Sequence, residues 1–280
     1  MIDRRKFLWS ATGVGLTGLL GRSVRAAATH PTGSLERIGV QLYTVRSLME
    51  SDFEGTLRQV AAIGYDEVEF AGYFGRGPAE VKALLAEVGL RAPACHVSLD
   101  TLRGDLAATL DAARTVGHDY VVCPWLAPEE RGSAAGYRAL AGLFNEVGAA
   151  CREAGLRFAY HNHEFEFENV DGQVPMDLLI EGTDSSLVHF EIDLFWITKG
   201  GRDPLAYFAR YPGRFPLCHV KDMADGGTMV DVGAGRIDFS AIFARSEEAG
   251  LRHYFVEHDQ PADPIASIAA SHAYLEGLTF

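Results

Sequence analysis

The sequence predicts an α/β fold, a parallel sheet closed into a (β/α)8 barrel. Short runs rich in β-branched residues alternate eight times with helical patterns rich in alanine and leucine. Such alternation argues for a parallel sheet with helices outside it. Glycine also marks five helix-to-strand joints: Ile63-Gly64-Tyr65-Asp66, Val88-Gly89-Leu90-Arg91, Val116-Gly117-His118-Asp119, Ala154-Gly155-Leu156-Arg157 and Ala249-Gly250-Leu251-Arg252. A glycine just past a helix end takes the left-handed cap that turns the chain into the next strand. Residues 29–280 make 252 residues, close to the ~250 of such a barrel. The rival, an open doubly wound sheet, would carry a glycine-rich dinucleotide fingerprint after its first strand, and none is there.

Residues 1–28 read as a leader. Arg4-Arg5-Lys6 precedes an apolar run from Leu8 to Leu20, and Arg25-Ala26-Ala27-Ala28 closes it with small residues. That is the layout of a twin-arginine export signal. An uncleaved anchor helix is the alternative, but the run is short and rich in Gly and Thr beside the ~20 residues of a membrane span. The expectation is a chain cut near Thr29, held in the periplasm or beyond and free of the membrane after cleavage.

A polar linker, Thr29 to Glu36, leads into the repeated unit, and no further linker divides residues 29–280, so one domain is expected. The predicted strands are Ile38–Leu42, Glu67–Phe70, Arg91–His96, Tyr120–Cys123, Arg157–His161, Leu187–Asp193, Pro216–Lys221 and His253–Glu257. Between and after them, helical patterns cover Phe53–Ile63, Pro78–Val88, Asp105–Val116, Ala134–Ala154, Asp203–Arg210, Phe239–Ala249 and Pro264–Leu275. The four cysteines lack metal-ligand spacing. Cys95 and Cys218 each precede a strand histidine, so they should face the helices when His96 and His219 face the barrel axis; four buried free thiols are expected.

The chain carries a formal charge of −13; without residues 1–28 it has 20 basic against 37 acidic residues, or −17. An acidic surface repels phosphate backbones, so nucleic acid is not an expected partner. A homo-oligomer stays open.

In such barrels the active site lies at the C-terminal ends of the strands. There the sequence places Gln41, Tyr43, Glu69, His96, His161, His163, Asp193, His219, Lys221 and Glu257. His161 and His163 share one strand face by the alternation of side chains. Two imidazoles and two carboxylates ending different strands, His161, Asp193, His219 and Glu257, form a mixed N/O set that suits manganese, zinc, iron or cobalt more than calcium.

These residues carry a resemblance that spans residues 29–280. Gly39-Val40-Gln41-Leu42-Tyr43-Thr44-Val45-Arg46, Val68-Glu69-Phe70, His161-Asn162-His163-Glu164-Phe165-Glu166-Phe167, Glu191-Ile192-Asp193-Leu194-Phe195-Trp196, His219-Val220-Lys221-Asp222 and Val256-Glu257 resemble the xylose-isomerase-like sugar isomerases and epimerases, whose TIM barrel also occurs in endonuclease IV. The resemblance implies a metal held from the fifth to eighth strands, with Asp193, His219 and Glu257 as three ligands and manganese as the first choice of ion. The family's first ligand, a glutamate that also serves as an acid/base group, falls on His161. Two-carboxylate epimerisation is therefore in doubt, and His163 competes for the fourth ligand position.

The chemistry expected is loss of a proton from carbon next to a sugar carbonyl, with Glu257 as base, His161 or His163 moving a second proton, and Lys221 binding the developing oxyanion. His96, Glu166, Trp196 and Glu69 are expected around the substrate, with Glu69 and Gln41 also suited to orienting ligands. The outcome is isomerisation or epimerisation, or else β-elimination and hydration that splits a 3-keto-glycoside. A non-catalytic sugar-binding barrel and a DNA-repair nuclease are the other classes; the latter needs a basic groove that this composition denies.

Overall fold

The computed structural model describes residues 33–280; the expected leader lies outside the described residues. Eight parallel strands close into a barrel in sequence order: β1 (Gly39–Gln41), β2 (Glu67–Phe70), β3 (Arg91–His96), β4 (Tyr120–Cys123), β5 (Arg157–His161), β6 (Val188–Asp193), β7 (Leu217–Val220) and β8 (His253–Val256), which pairs back onto β1. The (β/α)8 fold is the expected one. Four strands keep their expected bounds, and β1, β6, β7 and β8 lose a residue at one or both ends.

The glycine joints act as the sequence predicts. Gly117, for example, sits at φ 102°, and a Cβ there would meet nothing within 4 Å. The demand is conformational, not steric.

The pattern over Phe239–Ala249 is corrected: it splits into helices Phe239–Phe243 and Ser246–Ala249. The Ser246 hydroxyl donates to the Phe243 carbonyl at 2.7 Å and competes with helical bonding there. Short helices the periodicity did not show also follow strands, among them Leu99–Gly104 and Leu194–Lys199. The second begins at Asp193, whose Oδ1 accepts the Trp196 amide at 2.8 Å. A helix N-cap thus fixes a strand-end carboxylate.

Inside the barrel, Ala94, Tyr120, Val122, Ala159, Leu217 and Phe255 form an apolar plug. Gly39 is required by it: a Cβ there would stand 2.5 Å from Phe255 Cδ1. At the N-terminal mouth buried Glu67 accepts from His253 Nδ1 at 2.7 Å and pairs with Arg37 and Arg91 at 3.2 Å each. A larger apolar layer lies between strands and helices, where full burial of a Val, Leu or Phe side chain contributes roughly 1.5–3 kcal/mol. Cys95 and Cys218 pack in that outer layer, and all four cysteines are buried and free. Among the described residues no helix is long and apolar enough to cross a membrane.

Candidate active site

Alternation along each strand brings polar residues inward at the C-terminal mouth: Glu69 from β2, His96 from β3, His161 from β5, Glu191 and Asp193 from β6, and His219 from β7. Lys221, Glu257 and Asp259 follow just past the ends of β7 and β8. All but His96 and Asp259 are buried.

Glu191 is the hub of the inner part. Its Oε2 lies 3.0 Å from His96 Nε2, 3.2 Å from His219 Nε2 and 3.3 Å from His161 Nδ1. Glu69 Oε2 accepts from Gln41 Nε2 at 2.8 Å and faces His219 Nε2 at 2.6 Å. On the outer side His219 Nδ1 is 2.7 Å from Glu257 Oε2, and His161 Nε2 is 3.7 Å from Asp193 Oδ2. Lys221 Nζ then reaches Glu257 at 2.7 Å, Asp259 at 2.8 Å and Asp193 at 3.1 Å.

The charges follow from this packing. Burial lowers the affinity of His219 for a proton, but Glu191 and Glu257 outweigh it and hold the ring well above its usual range. Burial likewise opposes the charge on Glu257, yet Lys221 and His219 keep its carboxyl well below the usual range. His161 has no such surplus: burial, and then His219, push it down to about 3. Burial raises Asp193 to about 6 against the pull of Lys221.

The donor set fits a divalent cation. Ligand atoms of His96, His161, Glu191 and His219 lie within 4.8 Å of one another, as do those of Asp193, His219 and Glu257. His161 Nδ1, Glu191 Oε1 and Glu69 Oε1 are buried without a hydrogen-bond partner among the described residues, a costly arrangement unless something else satisfies them. Mixed imidazole and carboxylate donors suit Zn2+, Mn2+, Fe2+ or Co2+. His161 and His219 are the residues that face both carboxylate groups.

Above this cluster opens a cavity of about 520 Å3, lined in part by Tyr43, His96, Trp125, His161, His163, Lys221, Glu257 and Asp259. That volume falls within the few hundred to a thousand Å3 of small-molecule sites.

Several sequence expectations need correction. Glu166 is fully buried and off the cavity wall: it accepts from the Tyr160 hydroxyl and from the His163 amide at 2.8 Å, holding the loop after β5. Glu69 is outside the cavity lining; it accepts from Gln41 and faces His219, which matches the ligand-orienting role also expected of it. Trp196 stands behind His163, ring centroids 5.4 Å apart, and does not line the cavity. His163 lines it but is not gathered with either donor group, and its Nδ1 is buried without a partner among the described residues. His96, expected at the substrate, both lines the cavity and faces Glu191. Glu191, Asp259 and Trp125 were not singled out. Glu191 was legible, because it precedes Asp193 by two on the same strand face; loop residues Asp259 and Trp125 offered no periodic signal.

A family profile described as xylose isomerase-like TIM barrel matches residues 57–278. The inosose dehydratase of Geobacillus kaustophilus is 27% identical over 259 residues, 78% of this chain and 82% of that one. That of Clostridium perfringens is 25% identical over 165 residues; the match spans 51% of this chain and about half, 55%, of the relative. Among solved structures, a sugar phosphate isomerase/epimerase from Parabacteroides distasonis superposes with a TM-score of 0.76 at 25% identity, over 88% of this chain and 96% of that one. A structure of the IolI protein with a binding zinc atom has a TM-score of 0.71 at 15% identity, over 87% and 99% of the two chains, a likeness of fold.

Proposed function

We propose, from the premise that this chain belongs to the xylose isomerase-like TIM-barrel family, that it is a metal-dependent lyase: it removes a proton next to the carbonyl of a keto-sugar or keto-cyclitol and expels the β-oxygen substituent. One observation carries the choice of elimination. The carboxylates lining the cavity, Glu257 and Asp259, both follow β8 beside Lys221, whereas β5 brings only the imidazoles His161 and His163. Two-carboxylate epimerisation needs proton acceptors on both faces of the substrate carbon; here one face has a carboxylate. The inosose dehydratase relatives support the same reading.

A divalent ion bound by His161, Asp193, His219 and Glu257, with zinc, manganese, iron or cobalt all suited, would supply Lewis-acid stabilisation of the enolate. The chain's own groups do the rest. Glu257 takes the proton as the C–H bond breaks, and its electron pair forms the enolate. Lys221 Nζ, buried and held cationic by three carboxylates, donates to the enolate oxygen. The enolate then re-forms the carbonyl, and a C=C bond forms as the β C–O bond breaks. The leaving oxygen departs with the proton that Glu257 took from carbon, passed through water beside His163, whose ring is held well below its usual proton affinity by burial, His161 and Lys221. The products are an unsaturated ketone and water or an alcohol, so a dehydration and the splitting of a 3-keto-glycoside are one reaction with different leaving groups.

The isomerase or epimerase reading keeps the same deprotonation and returns the proton to carbon; the 25% identical isomerase/epimerase neighbour supports it. Incubation with a 2-inosose, a free ketose and a 3-keto-glycoside, with and without Mn2+ or Zn2+, tests the choice. Metal-dependent growth of enone absorbance is expected. Solvent deuterium entering recovered ketose without enone would favour isomerisation. Glu257→Gln should lower turnover by about 10²–10⁴-fold while circular dichroism keeps the folded spectrum; retained activity removes Glu257 from the base role.

A further inference from the structure

Among the described residues three large apolar side chains are exposed, Tyr43, Trp125 and Tyr274, and two of them stand on the rim of the cavity. Single exposed aromatics need no explanation, but this pair is built. Tyr43 follows β1 and Trp125 follows β4, three places apart in a ring of eight, so the two rings approach the cavity from well-separated sides. Each carries a guanidinium. Arg46 lies 3.9 Å from the Tyr43 ring centroid and donates to the Tyr43 carbonyl at 2.7 Å. Arg131 lies 4.8 Å from the Trp125 centroid and 3.4 Å from that of Phe165, and its Nε donates to the Leu126 carbonyl at 2.8 Å. The side chains are thereby held by cation–π contact and backbone hydrogen bonds.

Lys221 and Glu257 are buried in the same cavity whose exposed rim carries the two rings. A ligand whose reacting carbonyl reaches them has its far side between the aromatic rims. We propose that Trp125 and Tyr43 form an outer subsite for a second sugar ring, carried by the keto-sugar as its leaving group. A sugar ring fits because its C–H face suits an aromatic plane, while its hydroxyls meet rim donors and acceptors such as Ser98 and Gln260. This rests on the keto-sugar lyase reading and selects glycosides within it.

The test is calorimetric titration of the Mn2+-loaded protein with 3-ketoglucose and 3-ketocellobiose, with turnover read separately. The unaltered chain should bind the two-ring compound about tenfold or more tightly, as expected for burying aromatic and sugar-ring surface. Trp125→Ala with Tyr43→Ala should remove that advantage and leave 3-ketoglucose binding unchanged; Trp125→Phe should keep part of it. Equal affinity for the two compounds, no binding of either, or an advantage that survives the double substitution overturns the subsite. Tight, Trp125-dependent binding of 3-ketocellobiose without enone formation upholds the subsite and removes the lyase reading alone.

Discussion

Glu191 shows how much one carboxylate decides at this site. Three imidazole nitrogens lie within 3.3 Å of its Oε2, and its Oε1 is buried with no hydrogen-bond partner among the described residues. Its charge therefore orients His96, His161 and His219 together, in the way outer carboxylates fix metal-binding imidazoles. Glu191→Gln keeps the shape and removes the charge. Calorimetric titration with Zn2+ or Mn2+ should then give an affinity lower by about 10–100-fold, while an unchanged affinity would detach Glu191 from the donor group. The residue also marks where sequence reading stopped short. Looking only at strand ends selects Asp193, but the same two-residue period runs one step further down β6. The opposite error befell Glu166: a carboxylate after a strand end looks available for substrate, and only the fold shows that the Tyr160 hydroxyl meets it from behind.

Among the elements, strands were more legible than the short helices. β2 to β5 have bounds visible in the chain because turn glycines, Asp66 or Asp119 precede them; β-branched or aromatic residues fill β2, β4 and β5, while β3 (Arg-Ala-Pro-Ala-Cys-His) is marked by the Gly89 joint before it. The four- to seven-residue helices after strands span too few turns to establish a period, and Leu194–Lys199 is set by its Asp193 cap. One joint has a measurable consequence. His118, in the turn before β4, has Nδ1 2.6 Å from the Ala92 carbonyl, so Nδ1 donates and Nε2 accepts from the Tyr73 hydroxyl at 2.8 Å. Burial outweighs the Ala92 bond and Asp119 and lowers this imidazole to about 4. The folded chain therefore stays unprotonated there while the unfolded chain takes up a proton below its ordinary value of about 6.5. Stability contributed by the neutral ring is complete above pH ~6.5 and is lost as pH falls toward 4, with a limiting slope of about 1.4 kcal/mol per pH unit. Urea unfolding from pH 7 to 4 should show a steeper loss in the unaltered chain than in His118→Gln; parallel curves would show that His118 ionises alike in both states.

At the scale of the whole molecule, polar groups are stacked along the axis and sulfur is kept off it. At the N-terminal mouth Glu67 pairs with Arg37, Arg91 and His253 beside a cavity of about 500 Å3, the apolar plug fills the middle, and the C-terminal mouth opens into the 520 Å3 cavity that holds the imidazoles and carboxylates. All four thiols are buried, and burial raises the pKa of each, to about 12 for Cys95, Cys123 and Cys151. A thiol kept protonated and away from solvent is a poor partner for disulfide exchange, so this chain can occupy an oxidising compartment as long as it arrives folded. That requirement fits the export reading of Arg4-Arg5-Lys6 and the Ala26-Ala27-Ala28 end, since the twin-arginine route is expected to carry folded cargo. Expressed from its full sequence in a host with that route, the protein should be recovered from the periplasmic fraction with an N-terminus near Thr29. Its thiols should be unreactive to Ellman's reagent until denaturant is added, and four should then titrate. Replacing Arg4 and Arg5 by lysine should leave the full-length chain in the cytoplasm. Recovery of uncleaved protein in the membrane fraction would favour an anchor helix, and fewer than four thiols in the denatured periplasmic protein would contradict folding before exposure to oxidant.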